Sequence, residues 1–483
     1  MKPDILVFMT DQHTPYYSGF YAGNVDTPNM DRIANEGVQF TNAYTVCPLC
    51  GPSRTSLLTG RRPTETGMNS LNDSIPNTMP TIAHYMVEAG YDATLIGRMH
   101  FTGDDQCHGF LRHLGKEFTP VTWVHRPFAE EKGVYRRTFG EEGLLRVLGG
   151  GVNPTTLYDE AVCEAALEYL AQPHDKPQFI VVGVHSPHSP YVAPTDLFLK
   201  YKDRVKLPAS YYDEPGSESM RHHCAKDATE EYALAALAGY CGKVEFIDDV
   251  FGRILNAFES FVESRGSRKL VCYLSDHGDQ MGDRRMFAKQ TFYEKSAKIP
   301  MLISGDGVVA GKVCNSNISI MDLGPTLLDW VGGREMYQVD GRSVAAALRG
   351  EAVEERPIYG EFLDHQGWDN NDSEYYFMVK DGPYKLMTFS KTGDELLFDV
   401  EKDPDERENL ISKLPDVAEH MRNLAAQYSM EELAQERQER RWQEARLFVT
   451  NENVRGVTDG ELRWKNTCEA AKLPPEICVR CDP

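Results

Sequence analysis

Basic residues are scarce in this chain of 483 residues, which carries 51 Lys and Arg against 73 Asp and Glu and a formal net charge of −22. A surface of that sign repels phosphate backbones, which argues against nucleic acid as a partner. The same field disfavours long polyanionic substrates. A small substrate, or a locally basic pocket, agrees better with this charge.

Long apolar runs are also missing. No stretch approaches the roughly 20 apolar residues of a membrane span, so no membrane partner is expected. The apolar run at residues 5–8 is too short for the core of a secretory signal. The eleven cysteines are odd in number and irregularly spaced, which is typical of reduced thiols rather than of a disulfide framework. We therefore expect a cytoplasmic protein.

Apolar runs that read as buried strands alternate with helical patterns in the first 350 residues. The predicted strands are 5–9, 38–40, 93–96, 179–184, 270–274 and 299–303, and the main predicted helices are 80–88, 157–170, 229–258 and 321–331. A further helix is predicted from about residue 28, capped by Asp26 or Thr27. Such alternation indicates an α/β fold with a mostly parallel sheet covered by helices on both faces. Residues 103–153 show no clear element and are interpreted as a long insertion near the site.

The pattern changes after about residue 350. Strands are predicted at 357–362, 375–380 and 396–400 without helices between them, and Asp381-Gly382 is a hairpin turn signal. A charged helical pattern covers 413–447, and a tail follows. We therefore predict two domains, a catalytic α/β domain at 1–350 and a C-terminal subdomain with antiparallel strands at 351–483.

Five ionisable residues fall just past the ends of predicted strands: Asp11, Arg98, His100, His188 and Asp276. Ligands of open α/β sheets bind at the carboxyl edge of the strands. These side chains are therefore predicted to share one functional site.

The most informative stretch begins at Cys50 and reads Cys-Gly-Pro-Ser-Arg-Thr-Ser-Leu-Leu-Thr-Gly-Arg. Gly51 is predicted to turn the chain into a short helix, Pro52 suits its first positions, and Gly60 ends it. Cys50 would then lie at the positive end of a helix dipole with Arg54 one turn further on, a setting that favours an anionic group.

This stretch resembles the signature of the formylglycine-dependent (type I) sulfatases. The resemblance implies an alkaline-phosphatase-like α/β fold and the oxidation of Cys50 to formylglycine, whose hydrate is the nucleophile. It also implies a divalent metal held by Asp11, Gln12, Asp276, His277 and the residue at position 50. The family metal is usually Ca²⁺. Because His277 offers imidazole where asparagine is common, Mn²⁺ or Mg²⁺ are alternatives.

The resemblance also implies roles for the remaining polar residues. Arg54 would hold the hydrate and the anion, and Arg98 would contact sulfate where the family usually has lysine. His100 would assist proton removal from the nucleophile. His188 and Lys289 would face the leaving-group oxygen, whereas a nearby histidine, His185, is expected to be structural.

A narrower resemblance joins the chain to choline sulfatases and phosphonate monoester hydrolases, through Arg98-Met99-His100-Phe101 and the residues near His108. A quaternary ammonium would need an aromatic or acidic box. The sequence offers several candidates without placing them near Cys50: Trp123, Trp368, Glu361, Tyr375 and Tyr376. Asn72 could touch substrate or cap a turn.

The predicted function is hydrolysis of a small-molecule or saccharide sulfate ester to an alcohol and inorganic sulfate. The implied partner is a formylglycine-generating or anaerobic sulfatase-maturating enzyme, and a homo-oligomer is compatible with the sequence. Three alternatives stay open. They are a phosphonate monoester or phosphodiester hydrolase with the same site, a non-catalytic binding protein of the same fold, and a zinc or redox protein using the pairs Cys47/Cys50 and Cys478/Cys481.

Overall fold

The computed structural model describes residues 2–71, 73–103, 105–115, 117, 145, 147–225, 228–337, 339–365 and 373–428. Its strands are β1 Asp4–Asp11, β2 Gly37–Phe40, β3 Ala43–Tyr44, β4 Asp92–Gly97, β5 Arg112–Leu114, β6 Leu148–Gly150, β7 Gln178–Pro187, β8 Tyr191–Ala193, β9 Lys269–Ser275, β10 Met301–Gly305, β11 Lys312–Cys314, β12 Ile318–Ser319, β13 Ile358–His365, β14 Ser373–Asp381, β15 Tyr384–Phe389 and β16 Glu395–Asp399.

The described α-helices are α1 Gly19–Ala22, α2 Pro28–Glu36, α3 Cys50–Thr59, α4 Pro63–Thr66, α5 Ile82–Glu88, α6 Pro154–Leu170, α7 Thr195–Lys202, α8 Glu230–Arg265, α9 Glu294–Ala297, α10 Leu323–Val331, α11 Ala345–Leu348 and α12 Pro415–Gln427. Short 3-10 helices lie at Pro15–Tyr17, Glu218–His223, Asp283–Arg285 and Ile320–Asp322. Among the described residues, no helix combines the length and apolar character that a membrane crossing requires.

An eight-stranded sheet forms the centre of the fold, in the order β11-β2-β10-β9-β1-β7-β4-β5. β1 lies parallel to both β7 and β9, and β4 continues the parallel arrangement beyond β7. β10 runs antiparallel to both of its neighbours, so the sheet is mixed but mostly parallel. The predicted α/β class is confirmed, and the ends of β1, β4, β7 and β9 meet at one edge.

Helices cover both faces of this sheet, and the alternating side chains of β1 show why. Val7 packs into one apolar cluster with α3, α5 and α10, whereas Phe8 packs into a second cluster with α2, α6 and α8. A strand whose residues are buried on both faces reads as a continuous apolar run, which is the pattern that the sequence shows.

The C-terminal strands form a separate antiparallel sheet in the order β13-β14-β15-β16. One face packs against the Cys50 region through Leu49, Phe292 and Phe362, and the other is covered by α12. The hairpin predicted at Asp381-Gly382 joins β14 to β15. The domain boundary predicted at residue 350 stays a prediction, and the charged helix is described only as far as Gln427.

Local corrections concern caps and short strands. Thr27 occupies the N-cap position of α2 without a side-chain cap hydrogen bond. Asp248 of α8 supplies the cap instead, accepting hydrogen bonds from the Met30 and Asn29 backbone amides at 2.8 and 3.1 Å. Seven of the described strands were not predicted: β3, β5, β6, β8, β11, β12 and β15. Two of them, β5 and β6, lie within 103–153, where no element was expected. β5 and β6 are only three residues long, too short to show a period.

Candidate active site

The helix that carries Cys50 begins at that residue, and all ten of its residues are buried. The expected turn at Gly51 is wrong: Leu49 is the N-cap, with an extended backbone, and Gly51 lies inside the helix. Gly60 ends the helix as predicted, with a left-handed φ of 68°. Ser53 Oγ donates a hydrogen bond to the Asp276 carbonyl at 2.6 Å, which fixes the helix to the end of β9.

Arg54 joins the two carboxylates of the site. Its Nε donates to Asp276 Oδ2 at 2.8 Å, and one terminal nitrogen donates to Asp11 Oδ2 at 3.1 Å. Arg98 Nε donates to the same Asp11 oxygen at 2.8 Å. Burial by itself would raise the pKa of Asp11, but the charges of Arg98 and Arg54 hold that pKa well below its usual range. Asp11 is therefore an ionised carboxylate whose Oδ2 is saturated.

The other oxygen of Asp11 faces Cys50. The Cys50 thiol lies 3.5 Å from Asp11 Oδ1, 3.3 Å from His277 Nε2 and 3.0 Å from Lys289 Nζ. Burial, aided by the charge of Asp11, raises the pKa of Cys50 to about 11. Since nucleophilic cysteines have lowered pKa values, this thiol is not built for thiolate chemistry at neutral pH.

Lys289 links Cys50 to the residues expected around a leaving group. Its Nζ lies 2.9 Å from Gln12 Oε1 and 2.8 Å from His188 Nε2. The other ring nitrogen of His188 lies 2.9 Å from the Ser189 carbonyl and donates to it, so Nε2 is the acceptor for the lysine proton. Burial and the neighbouring Lys289 charge lower the pKa of His188 well below its usual value, so this histidine is neutral.

His100 lies on the opposite side of Arg98. Its Nδ1 accepts a hydrogen bond from Arg98 at 2.6 Å, which places the proton of the neutral ring on Nε2. That Nε2 is buried and has no hydrogen-bond partner among the described residues. Burial and the Arg98 charge lower the pKa of His100 well below its usual value. The ring therefore presents one unused N–H group, suited to a substrate oxygen.

Backbone conformations of high energy concentrate here. Four non-glycine residues at the site have left-handed φ values: Gln12 at 69°, His100 at 60°, Ala288 at 64° and Gln290 at 79°. Such residues persist where surrounding contacts over-determine them, and they cluster at functional sites. Two of them flank Lys289, so the strain lies in the segment that presents its ammonium group.

Asp279 is a site residue for which the sequence interpretation gave no role. Its Oδ2 accepts hydrogen bonds from Gln12 Nε2 at 2.6 Å and from the Tyr191 hydroxyl at 2.8 Å. Because the amide nitrogen of Gln12 is held by Asp279, its Oε1 faces Lys289. The sequence did contain a signal for Asp279, which stands two residues after His277 in the run Asp-His-Gly-Asp.

A buried lysine, Lys243, binds the backbone of the loop that carries His188. Lys243 Nζ donates to the His188 carbonyl, to the Pro190 carbonyl at 3.3 Å and to Thr155 Oγ1 at 3.1 Å. Asp159 accepts the His185 backbone N–H at 2.6 Å, clamping the start of the same loop. No sequence pattern indicated Lys243, since it lies within the apolar stretch of α8.

The donor set fits a divalent cation. Ligand atoms of Asp11, Cys50, Asp276 and His277 all lie within 4.8 Å of one another, and all four residues are buried. His277 Nδ1 donates to the Gly278 carbonyl at 2.9 Å, which leaves the Nε2 lone pair facing the group. Two carboxylates and an imidazole are ligands that Ca²⁺, Mn²⁺ and Mg²⁺ accept to different degrees.

The structure thus gathers all ten residues predicted for the site: Asp11, Gln12, Cys50, Arg54, Arg98, His100, His188, Asp276, His277 and Lys289. Two of the described candidates for an ammonium box, Glu361 and Tyr376, are bound to other side chains, and the Tyr376 hydroxyl lies 2.9 Å from Asp364 Oδ2. Glu361 is buried and bound by Arg62 at 3.0 Å and by the Thr64 hydroxyl at 2.7 Å. Trp123, Trp368, Asn72, Cys478 and Cys481 lie outside the described residues.

The thiol pair near the site separates into two environments. Cys47 and Cys50 are both free thiols in the structure. Cys50 belongs to the metal-capable group, whereas Cys47 packs in an apolar cluster with Leu49 and Phe292. Burial raises the pKa of Cys47 well above its usual value. This arrangement favours separate roles for the two cysteines rather than a redox couple.

Comparisons with known proteins agree with this geometry. The chain is 30% identical to a choline-sulfatase of Rhizobium meliloti over 85% of this chain and 82% of that protein, and 31% identical to an arylsulfatase of Clostridium perfringens over 85% and 91%. The crystal structure of a phosphonate monoester hydrolase of Agrobacterium radiobacter superposes with a TM-score of 0.72 at 21% identity, covering 90% and 96%.

Two family models match the chain. The model described as N-sulphoglucosamine sulphohydrolase, C-terminal, matches residues 282–445, and the model described as Sulfatase matches residues 3–333. The second covers the central sheet and every residue gathered around Cys50. This protein therefore belongs to the sulfatase family and is a sulfatase enzyme.

Proposed function

We propose that this sulfatase cleaves a sulfate monoester to an alcohol and inorganic sulfate, with formylglycine made from Cys50 as the reactive group. The observation that carries the proposal is the surroundings of Cys50. Its thiol contacts Lys289, His277 and Asp11, and burial raises its pKa to about 11, the opposite of the shift that activates a cysteine. Charged and polar groups thus surround a side chain that is itself a poor nucleophile, and conversion of Cys50 to formylglycine would explain this arrangement.

The charge balance supports an anionic substrate. Three cationic side chains, Arg54, Arg98 and Lys289, face two carboxylates, Asp11 and Asp276. Three cationic side chains thus converge on the Cys50 region within a chain of net charge −22. Preorganised cations of this kind stabilise charge that develops on the transferred group. In this proposal Arg98 and the Nε2–H of His100 hold the oxygens of the SO₃ group, so His100 acts as a hydrogen-bond donor rather than as the proton acceptor that the resemblance implied.

Departure of the alcohol requires a proton, because an alkoxide is a poor leaving group. Lys289 Nζ and His188 Nε2 lie 2.8 Å apart and can share one proton. The Ser189 carbonyl fixes the ring of His188, and Lys243 holds the backbone of the same loop. We propose that this pair delivers the proton to the leaving oxygen.

A divalent cation would be held by Asp11, Gln12, Asp276, His277 and the residue at position 50. When bound, it supplies positive charge that neutralises the substrate and the nucleophile. Arg54 keeps the Oδ2 atoms of both carboxylates occupied. Asp11 Oδ1 faces the Cys50 thiol, and Asp276 Oδ1 accepts hydrogen bonds from the Gln12 and His277 backbone N–H groups at 3.0 and 2.9 Å. Ca²⁺ is the expected metal, and the imidazole of His277 makes Mn²⁺ the first alternative to test, with Mg²⁺ after it.

The aldehyde, once hydrated, supplies a hydroxyl for attack on sulfur and a second hydroxyl that allows the product to be released. Cys50 is only 1% exposed in the folded chain. A formylglycine-generating or anaerobic sulfatase-maturating enzyme would therefore have to reach it before the chain folds. The substrate would be a small-molecule or saccharide sulfate ester.

The first test is the mass of the peptide that contains position 50, after co-expression with a maturing enzyme. Conversion lowers the mass by about 18 Da and creates the activated nucleophile. Matured protein should then hydrolyse nitrophenyl sulfate, and Cys50→Ala protein should not. Persistence of the thiol under these conditions would overturn the proposal.

A second assay separates the competing activities. Matured protein is given nitrophenyl sulfate and nitrophenyl phenylphosphonate in parallel. A clear preference for the phosphonate would assign the site to a phosphonate monoester or phosphodiester hydrolase. Absence of turnover on both, in protein shown to carry the aldehyde, would favour a non-catalytic binding protein.

A further inference from the structure

A second cluster of metal-ligating side chains lies between the 3-10 helix Glu218–His223 and β13. His222 Nε2 is 2.9 Å from Asp364 Oδ2, and His223 Nε2 is 3.4 Å from the same oxygen. The ligand atoms of all three residues lie within 4.8 Å of one another. None of these residues belongs to the site around Cys50.

The neighbours of Asp364 hold it in position. The Tyr376 hydroxyl lies 2.9 Å from Asp364 Oδ2 and 2.8 Å from the Ser219 carbonyl, so it bridges the strand and the 3-10 helix. These contacts hold the Asp364 carboxylate in one orientation, with Oδ2 toward the two histidines.

The spacing matches a coordination shell. In a tetrahedral zinc site, ligand bonds of about 2.0–2.1 Å place neighbouring ligand atoms about 3.3 Å apart. The observed separations of 2.9 and 3.4 Å bracket that value. The two imidazole rings lie with centroids 3.9 Å apart, and both Nε2 atoms approach the same oxygen of Asp364.

We propose that His222, His223 and Asp364 form a binding site for a divalent transition metal of the Zn²⁺ class. Two imidazoles and one carboxylate favour Zn²⁺ or Co²⁺ over Ca²⁺ and Mg²⁺, which prefer oxygen ligands. The His222 side chain is 31% exposed and the His223 side chain 6%. An ion can thus enter from solvent, and water completes the shell.

Such an ion would join two parts of the fold. The 3-10 helix belongs to the segment between α7 and α8, whereas Asp364 lies on the first strand of the C-terminal sheet. A metal that binds only the folded arrangement stabilises it by mass action. The site would act as a structural clasp between the catalytic region and the C-terminal sheet.

The test uses the full chain, dialysed against chelator and then titrated with Zn²⁺ or Co²⁺ at pH 7.5. Wild-type protein should bind one more equivalent than His223→Gln protein, and its Zn²⁺-dependent rise in melting temperature should exceed that of the variant, which keeps the metal-capable group at Cys50. His420→Gln is the matched control, because His420 forms a comparable 2.8 Å pair with Asp381 but belongs to no group of three ligands among the described residues.

Equal binding by wild type and His223→Gln would overturn the proposal and leave an ion pair between the histidines and Asp364. His222→Gln repeats the comparison at a more exposed position, in case the first variant does not fold. The readouts are stoichiometry and melting temperature, so they are independent of hydrolysis. A failed sulfatase assay with an intact extra equivalent would count against the proposed function and not against this site.

Discussion

Replacement of Lys289 by methionine would test the assignment of the leaving-group acid. The ammonium group contacts His188 Nε2, Gln12 Oε1 and the residue at position 50 within 3.0 Å. Methionine retains an unbranched apolar chain but removes the charge and all three hydrogen bonds. The change therefore isolates the polar contribution of one side chain.

The expected loss depends on the leaving group. A positioned general acid contributes about 10²–10⁴-fold, so kcat/KM for an alkyl sulfate should fall about 10³-fold, or about 4 kcal/mol. Nitrophenolate leaves without a proton, so nitrophenyl sulfate should lose about tenfold, from the missing positive charge alone. The ratio of the two losses, about 10², is the quantity to measure, with matured protein in parallel steady-state assays.

The control is Lys295→Met. Lys295 is also buried, lies six positions further along and pairs with Asp405 at 3.7 Å, away from the site. It should change neither rate more than about threefold, because its ammonium group contacts none of the reacting groups. If Lys289→Met slows both substrates by the same factor, Lys289 stabilises the anion in general and the leaving-group assignment is wrong.

Three further changes test other contacts. Asp279→Asn removes the carboxylate that holds the Gln12 amide, and it should weaken binding of the active-site divalent ion about 10–100-fold in metal titrations. An unchanged affinity would refute the positioning role of Asp279. Arg54→Lys should lower the free energy of unfolding in urea by about 3–5 kcal/mol, because one lysine cannot pair with both buried carboxylates. A loss below about 1 kcal/mol would contradict the bridging role of Arg54. Burial raises the pKa of Asp248 from 3.8 to about 6. Between these values the folded state holds a proton on Asp248 that the unfolded state releases. This group therefore reduces the free energy of unfolding by up to about 3 kcal/mol as the pH rises from 4 to 7. Asp248→Asn should remove that part of the pH dependence in urea melts, and parallel curves for variant and wild type would refute it.

The sequence by itself predicted the class of fold and the residues that meet around Cys50. Cys50, Arg54 and Gly60 lie in one short segment, which predicts a short helix and also resembles a family signature. Asp11 and Asp276 each follow an apolar run of strand length. Because parallel strands of one sheet end at a common edge, a linear pattern was enough to predict that these residues meet.

The tertiary structure decided which distant side chains support that site. Asp279 orients Gln12 across 267 positions of sequence. Lys243 holds the His188 backbone from within α8, and Asp248 on the same helix caps α2, where Asp26 or Thr27 had been expected to do so. Each of these contacts joins segments with no shared local pattern.

The same distinction applies to the second metal-capable cluster. His222 and His223 are adjacent in the chain, but their partner Asp364 lies about 140 positions away on another sheet. Periodicity and turn residues report on neighbours along the chain, since they arise from backbone geometry over a few residues. Pairings between separate elements depend on packing, so only the folded arrangement of the sheet, α8 and the C-terminal strands determined them.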